Sequence, residues 1–141
     1  MIGSMAGYSG TPLPKKLGIR EGSAFAVSAA PPGFTATLGE LPAGTVAIEP
    51  GASLAGVAVV FVTTLAALGE VFPVAMGWIR QDGGLWIAWP KRASGVPTDL
   101  NENVIRELGL ATGMVDNKVC AIDETWSALR FVVRLKDRRP D

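Results

Sequence analysis

Apolar residues along this chain fall into runs with two different spacings, and these runs define the predicted strands and helices. Residues 57–62 (VAVVFV) and 85–89 (LWIAW) are apolar without interruption, which is typical of strands buried on both faces. Shorter apolar runs at 24–29 and 45–48 predict two further strands. Four of the strands are therefore predicted to lie between residues 24 and 89.

Helices are predicted between the strands, where apolar residues recur three or four positions apart. Residues 64–80 show this spacing, and Pro73 should kink or divide that helix. A second helix, 99–112, should begin with a capping box made by Asp99 and Glu102. A short helix is predicted after Thr11, ended by Gly18, and a turn is predicted at Asp82–Gly84.

The carboxyl-terminal part of the chain predicts an antiparallel pair of strands. Residues 118–122 (KVCAI) are apolar after Lys118, and residues 128–135 alternate between apolar positions and Arg130, Arg134. The five intervening residues suit a hairpin loop. The order of elements thus predicts an α/β fold, with a mostly parallel Rossmann-like sheet of about six strands, a terminal antiparallel hairpin and helices on both faces.

Length and composition fit one compact domain. The chain has 141 residues, of which 48% are apolar and 18% charged. We assign residues 1–22 to an amino-terminal arm with a short helix, 23–136 to the α/β domain and 137–141 to a tail. Met1–Ser4 could be foreign to the natural protein.

Charge and hydropathy argue against two kinds of partner. Lys plus Arg and Asp plus Glu both number 13, so no net field attracts nucleic acid or an anionic membrane, and neither is expected to bind. The basic residues near the end of the chain are read as a solvated strand face and tail. Residues 50–69 lack charge, but their glycines and their flanks, Glu49 and Glu70, indicate a buried strand and helix. No secretory signal is evident, so we expect a cytoplasmic protein.

Several chemistries lack their residues in this sequence. There is no histidine and only one cysteine, which removes histidine-based triads, histidine metal ligands and an internal disulfide. Cys120 lies in an apolar run and is predicted to be a buried structural thiol. Asp116, Asp123 and Glu124 lack the spacing of a cation site, and salt bridging around the hairpin is the preferred interpretation. We therefore predict no catalytic residue, no metal site and no cofactor.

A ligand site, if present, should lie beyond the carboxyl ends of the strands. The loop at residues 90–99 follows a predicted strand there, and Lys91 could hold an anion near the next helix, although the same loop could be only a well-capped turn. The neighbouring wall should come from the loop after 57–62. The candidate ligand-binding residues are Lys91, Ser94, Thr98, Asp99, Thr63, Thr64, Tyr8 and Glu49.

Trp126 is the one candidate for a partner surface. It falls in the predicted hairpin loop, where a large aromatic side chain is less expected than in a core. Trp126 could cover a helix or mark a partner surface, and an exposed Trp126 in an apolar interface would favour a homodimer.

The sequence resembles two known groups of proteins. From residue 57 onward, the order of elements resembles the second half of a class I methyltransferase-type Rossmann fold. The segments GYSGTPLPKKLGI, LWIAWPKRASGVPTDL and VDNKVCAIDETWSALRFVVR resemble a bacterial family known as domain of unknown function 3052. That second resemblance implies a fold and a bacterial source, and it implies no activity.

The front half of the chain departs from the methyltransferase pattern. Where that fold has a glycine-rich turn, this chain has SAAPPGFTATLG, and Pro31 and Pro32 cannot donate backbone N–H groups. Glu49 is placed to bind ribose hydroxyls or to be merely solvated. The first hypothesis is therefore a non-catalytic module that binds a small molecule or a protein, and tight binding of S-adenosylmethionine is not expected. The alternatives are a degenerate S-adenosylmethionine-dependent methyltransferase and a homodimeric structural or regulatory subunit.

Overall fold

A computed structural model describes residues 10–140 of the chain, and these residues build one six-stranded sheet with helices on both faces. The order of strands across the sheet is β2-β1-β3-β4-β6-β5. The strands are β1 (Ala24–Ser28), β2 (Val46–Ile48), β3 (Ala55–Phe61), β4 (Ile79–Pro90), β5 (Val115–Ala121) and β6 (Trp126–Val132). The helices are α1 (Leu13–Leu17), α2 (Phe34–Leu38), α3 (Leu65–Ala75) and α4 (Glu102–Ala111).

The directions of the strands confirm the predicted fold class. Strands β1 to β4 pair in parallel, whereas β6 is antiparallel to both β4 and β5. All strands except β6 therefore end at the same side of the sheet, which we call the carboxyl edge; the opposite side is the amino edge. The chain extends the sheet from β1 to β2 in one direction and from β3 to β4 in the other. The switch point, where ligands commonly bind in such sheets, lies between β1 and β3.

Each face of the sheet buries its own apolar cluster. On one face α3 and α4 cover the sheet, and Phe72 contacts Phe131 edge to face with ring centroids 5.2 Å apart. Gly109 lets α4 approach closely, because a Cβ there would lie 2.1 Å from the Phe131 ring. On the other face α1 and α2 cover a second cluster around Trp86. The Trp86 indole is fully buried and donates a hydrogen bond of 2.9 Å to the Leu17 carbonyl at the end of α1.

The continuous apolar runs are buried strands, as predicted. Val57 to Val62 are all buried. Trp86 and Trp89 belong to the clusters on opposite faces, so β4 is buried on both of its faces.

The predicted turn at Asp82–Gly84 is wrong, because β4 runs through it. Ala55 pairs with Ile79 and Val57 with Gly84, so β4 contains extra residues that form a bulge opposite β3. A Cβ on Gly83 would lie 2.8 Å from the Gly56 carbonyl oxygen. Glycine therefore allows a close backbone approach here and does not reverse the chain.

The predicted helix 64–80 is shorter than expected. It ends at Ala75, a short 3-10 turn follows, and residue 79 already belongs to β4. Pro73 lies within the last turn on the exposed side, and it does not divide the helix.

Cys120 is half-buried, so the prediction of a buried thiol is only partly correct. It lines a hollow of about 410 Å³ between α1 and β5, with Lys15, Lys16 and Lys118 around it. Burial raises the pKa of the Cys120 thiol to about 11, against the lowering effect of Lys16 and Lys118. A thiol with that pKa is almost entirely protonated near neutral pH and is a poor nucleophile.

Asp116 and Asp123, two of the three acidic residues near the hairpin, have structural partners, whereas the third, Glu124, is exposed. Asp116 pairs with Arg106 of α4, with Nε and Oδ2 2.9 Å apart, so this ion pair joins helix to strand and does not bridge the hairpin. Asp123 accepts hydrogen bonds from the backbone N–H groups of Thr125 and Trp126. Among residues 10–140, no group of three acidic or cysteine side chains is arranged to hold a metal ion. In the same range, no helix has the length and apolar character needed to cross a membrane.

Candidate functional site at the carboxyl edge

Two loops meet at the carboxyl edge and are joined by side-chain hydrogen bonds. The Thr98 hydroxyl donates to the Thr63 carbonyl at 2.6 Å and accepts from the Leu100 N–H at 3.0 Å. An Asp99 carboxylate oxygen accepts from the Leu65 N–H at 2.8 Å. The loop after β4 and the loop after β3 are therefore adjacent, although neither Thr63 nor Thr64 lines the hollow beside the loop after β4.

The role predicted for Asp99 is wrong in one respect: it stabilises the start of α3 and does not cap its own helix. Thr64, whose hydroxyl accepts from the Ala67 N–H at 3.1 Å, is the N-cap of α3. Together these two side chains satisfy two of the N–H groups that a helix start leaves without intrahelical partners. The cap of α4 is Asn101, which accepts from the Val104 N–H at 2.9 Å. Thr98, Asp99 and Asn101 are all residue types that commonly cap helices. The path of the chain makes Asn101, the last of them, the N-cap of α4.

Ser94 and Lys91 both serve the local turn. The Ser94 hydroxyl donates to the Lys91 carbonyl at 2.6 Å and accepts from the Val96 N–H at 3.2 Å. The Lys91 ammonium donates to the Asp123 carbonyl in the hairpin loop at 2.8 Å, and the Lys91 N–H donates to the Thr125 carbonyl at 2.7 Å. Lys91 thus ties the loop after β4 to the hairpin, and its role in holding a ligand stays a prediction.

A hollow of about 440 Å³ lies beside this loop. Its lining combines the apolar side chains of Trp89, Val96, Pro97 and Leu100 with the polar side chains of Arg92, Thr98, Asp99 and Asn101. Arg92 lines this hollow, and Lys91 does not. The sequence shows two adjacent basic residues, Lys91 and Arg92, and does not distinguish between them. In the structure a 3-10 turn starts at Arg92, so that Arg92 lines the hollow and Lys91 contacts the hairpin loop.

The backbone at the switch point between β1 and β3 includes a residue in the left-handed conformation. Ala29, directly after β1, has φ of 58°, the one residue other than glycine with positive φ among residues 10–140. Such a conformation costs free energy and is frequent at ligand sites. Glu49 is exposed directly after β2, and it does not line the hollow beside the loop after β4. Tyr8 lies outside the described residues.

Trp126 packs inside the protein more than the sequence suggested. It is the first residue of β6, is half-buried, and meets Phe61 edge to face with centroids 5.0 Å apart. Phe34 of α2 contacts the same Phe61 ring at 5.0 Å. Trp126 therefore joins a row of aromatic rings on the α1–α2 face, and it is not the exposed anchor that would favour a homodimer.

Comparisons with known proteins identify the fold. No protein-family model and no curated protein matches this sequence. Among solved structures, LepI in complex with S-adenosylmethionine matches with a TM-score of 0.52 and 12% identity, over 88% of this chain and 47% of LepI. A presumed methyltransferase from Thermoplasma acidophilum matches with a TM-score of 0.54 and 6% identity, over 87% of this chain and 73% of that one. A LepI variant bound to S-adenosylhomocysteine and a substrate analogue matches with a TM-score of 0.51 and 14% identity, over 94% and 41%.

These matches show a methyltransferase-like Rossmann fold. At such low identity they show the fold alone, and this chain spans about half the length of LepI. The resemblance to domain of unknown function 3052 stays a prediction, because no family model matches.

Proposed function

We propose that this protein is a non-catalytic module that binds a small molecule at the carboxyl edge of a methyltransferase-like sheet. The observation that carries this proposal is the joining of the two carboxyl-edge loops by Thr98 and Asp99. A hollow whose walls are already fixed loses little conformational entropy when it binds a ligand.

The use of the reactive side chains supports binding over catalysis. Ser94, Thr98 and Lys91, the potential nucleophiles and proton donors of the loop, each hydrogen-bond to the backbone. The Cys120 thiol is protonated near neutral pH and lies on the α1 face, apart from this hollow. A nucleophile needs a base within hydrogen-bonding reach, and the hydroxyls of Ser94 and Thr98 bond to backbone groups and to no carboxylate.

The charges of the hollow favour a zwitterionic or neutral ligand. Arg92 and Asp99 line it together, so its formal charges balance. Trp89, Val96 and Leu100 add apolar surface. A zwitterionic or neutral ligand therefore suits this hollow better than the simple anion that was expected from Lys91 alone.

Binding of S-adenosylmethionine is a second candidate function. It is favoured by the left-handed Ala29 at the switch point and by Glu49 at the end of β2, and two of the similar structures carry this molecule or its product. Pro31 and Pro32 oppose it, because they remove N–H donors from the loop that would approach the ligand.

A thermal-shift screen followed by calorimetric titration tests both candidates. A ligand at 100 times its dissociation constant adds about 2.7 kcal/mol to the free energy of unfolding. The probes are S-adenosylmethionine, S-adenosylhomocysteine, adenosine and zwitterionic amino acids, measured against Arg92→Gln and Glu49→Gln. A ligand that loses affinity only in Arg92→Gln supports the first proposal. Micromolar binding of S-adenosylmethionine that is lost in Glu49→Gln would replace it with the second.

A further inference from the structure

A second charged hollow lies at the amino edge of the sheet, away from the site described above. It has a volume of about 350 Å³. Its lining comes from the segment before β1, from the first residues of β3 and β4, and from β6, and it includes Gly18, Arg20, Gly56, Arg80, Asp82 and Arg130. Three arginines therefore surround a single carboxylate, and that carboxylate, Asp82, pairs with Arg80 at 3.3 Å.

Arg20 and Arg130 have no ion-pair partner among the described carboxylates. Arg130 is half-buried, and its Nη1 donates to the uncharged Asn117 side chain at 3.3 Å. The pKa of Arg130 is lowered, first by burial and then by the positive charges of Arg20 and Arg138. Like charges thus face one another around a partly desolvated guanidinium, and an anion between them would relieve that repulsion.

A glycine fixes the position of Arg130. A Cβ on Gly84 would lie 2.3 Å from the Arg130 Nε and 2.7 Å from its Cζ, so the guanidinium rests directly on the backbone of β4. The neighbouring residues Leu129 and Phe131 are buried in the cluster under α3 and α4, on the other face of the sheet from Arg130. The strand alternation and the missing side chain at Gly84 together direct the guanidinium along the sheet surface to the hollow.

We propose that this amino-edge hollow binds the phosphate group of a small molecule, with Arg20 and Arg130 as the anion ligands and Gly84 as the residue that positions Arg130. A guanidinium offers parallel N–H donors that match two oxygens of a phosphate, which a lysine cannot do. The proposal is independent of the carboxyl-edge function, because the two hollows share no lining residue.

The size and the setting of the hollow favour a small molecule over nucleic acid. The chain has no net charge, and the arginines converge on a concavity and do not spread along an extended stripe. Inorganic pyrophosphate is a suitable probe, since it presents two phosphate groups and has no apolar part.

The test is calorimetric titration of the 141-residue chain with pyrophosphate at low ionic strength, together with amide NMR spectra. We expect binding, with shifts concentrated at residues 18–23, 56 and 80–84. Arg20→Gln and Arg130→Gln should each weaken binding at least tenfold. Gly84→Ala should weaken it similarly without changing the charge, because the added methyl group displaces the flexible end of Arg130 and no backbone.

The matched control is Arg134→Gln. Arg134 is an exposed arginine whose guanidinium donates to the Gly113 carbonyl, and it does not line the hollow. Absence of pyrophosphate binding, or equal weakening by Arg134→Gln, would overturn the site. Tighter binding of citrate would overturn the assignment to phosphate, and tighter binding of a short RNA or DNA would overturn the assignment to a small molecule. Should Arg130→Gln fail to fold, the exposed Arg20 decides the question; Gly84→Ala with unchanged affinity would refute the positioning role.

Discussion

The two edges of the sheet differ in how their polar side chains are satisfied. At the carboxyl edge, Thr98, Asp99 and Ser94 each accept or donate hydrogen bonds within the protein. At the amino edge, Arg20 and Arg130 meet other positive charges and find no carboxylate partner in the described part of the chain. Polar side chains at the carboxyl edge join two loops by hydrogen bonds, whereas the arginines at the amino edge repel one another.

This difference shows that the position of a hollow in the fold and the unbalanced charge around a hollow are separate indicators of function. Position alone selects the carboxyl edge, where open α/β sheets bind their ligands. Unbalanced charge selects the amino edge, which fold-level reasoning would pass over. A protein with this fold can therefore hold a preformed hollow at one edge and a charged one at the other.

The largest expected change in stability comes from removing the Thr98 hydroxyl, which joins the two carboxyl-edge loops. Thr98→Val keeps the shape of the side chain but leaves the Thr63 carbonyl and the Leu100 N–H without this partner. We expect the free energy of unfolding to fall by about 2 kcal/mol, since two hydrogen bonds are lost at a partly buried site. Urea denaturation measures the change. Thr98→Ser keeps the hydroxyl and should remain close to wild type; an equal loss in both variants would contradict a hydrogen-bonding role.

Asp99 should show the next largest effect. Asp99→Ala removes the acceptor for the Leu65 N–H and a negative charge at the positive end of α3. The expected loss is about 1 kcal/mol, the usual worth of a helix cap. Asp99→Asn retains an acceptor oxygen and should recover most of it. Denaturation of the two variants side by side checks this, and a loss confined to α4 in hydrogen exchange would show that Asp99 caps α4 after all.

Much of the fold could be predicted because it depends on local patterns. The apolar runs at 57–62 and 85–89 are the central strands, and the alternation after residue 128 gives the antiparallel partner. These assignments succeed because burial on one or both faces leaves its own period in the sequence. The methyltransferase-like order of elements follows from them.

The details that failed depend on contacts between distant segments. Asp99 has the residue type and spacing of a cap for α4, yet its partner is the start of α3. Glycines at residues 83 and 84 are typical of a turn, yet they allow close packing on β3 and under Arg130. Lys91 was a candidate ligand residue, and nothing in the sequence indicates that its ammonium also donates to the hairpin loop. The sequence shows which groups can form hydrogen bonds, and only the tertiary structure shows with whom.

Lys91 sharpens the comparison, since it is a basic residue at the carboxyl edge that has a partner. Lys91→Met keeps the aliphatic stem and removes the donor to the Asp123 carbonyl. We expect a loss below about 1 kcal/mol, because a single hydrogen bond at a half-exposed site contributes little net stability. Thermal unfolding measures the loss. Unchanged stability together with loss of a bound ligand would restore Lys91 to the site and contradict its structural role.

Arg20 gives the smallest effect and the opposite sign, and for that reason it tests the amino edge most directly. Arg20→Gln removes one of the positive charges that lower the pKa of Arg130, so the variant should unfold at a slightly higher temperature than wild type. Arginine stays protonated throughout the accessible pH range, so the gain should not change between about pH 6 and pH 9. It should instead depend on salt, being measurable where the Debye length is about 30 Å, at roughly 0.01 M, and absent near 1 M, where it is about 3 Å. Arg134→Gln serves as the control for general loss of positive charge. If both variants gain equally, or if Arg20→Gln is less stable than wild type at low salt, the charges at the amino edge are balanced and no anion is needed there.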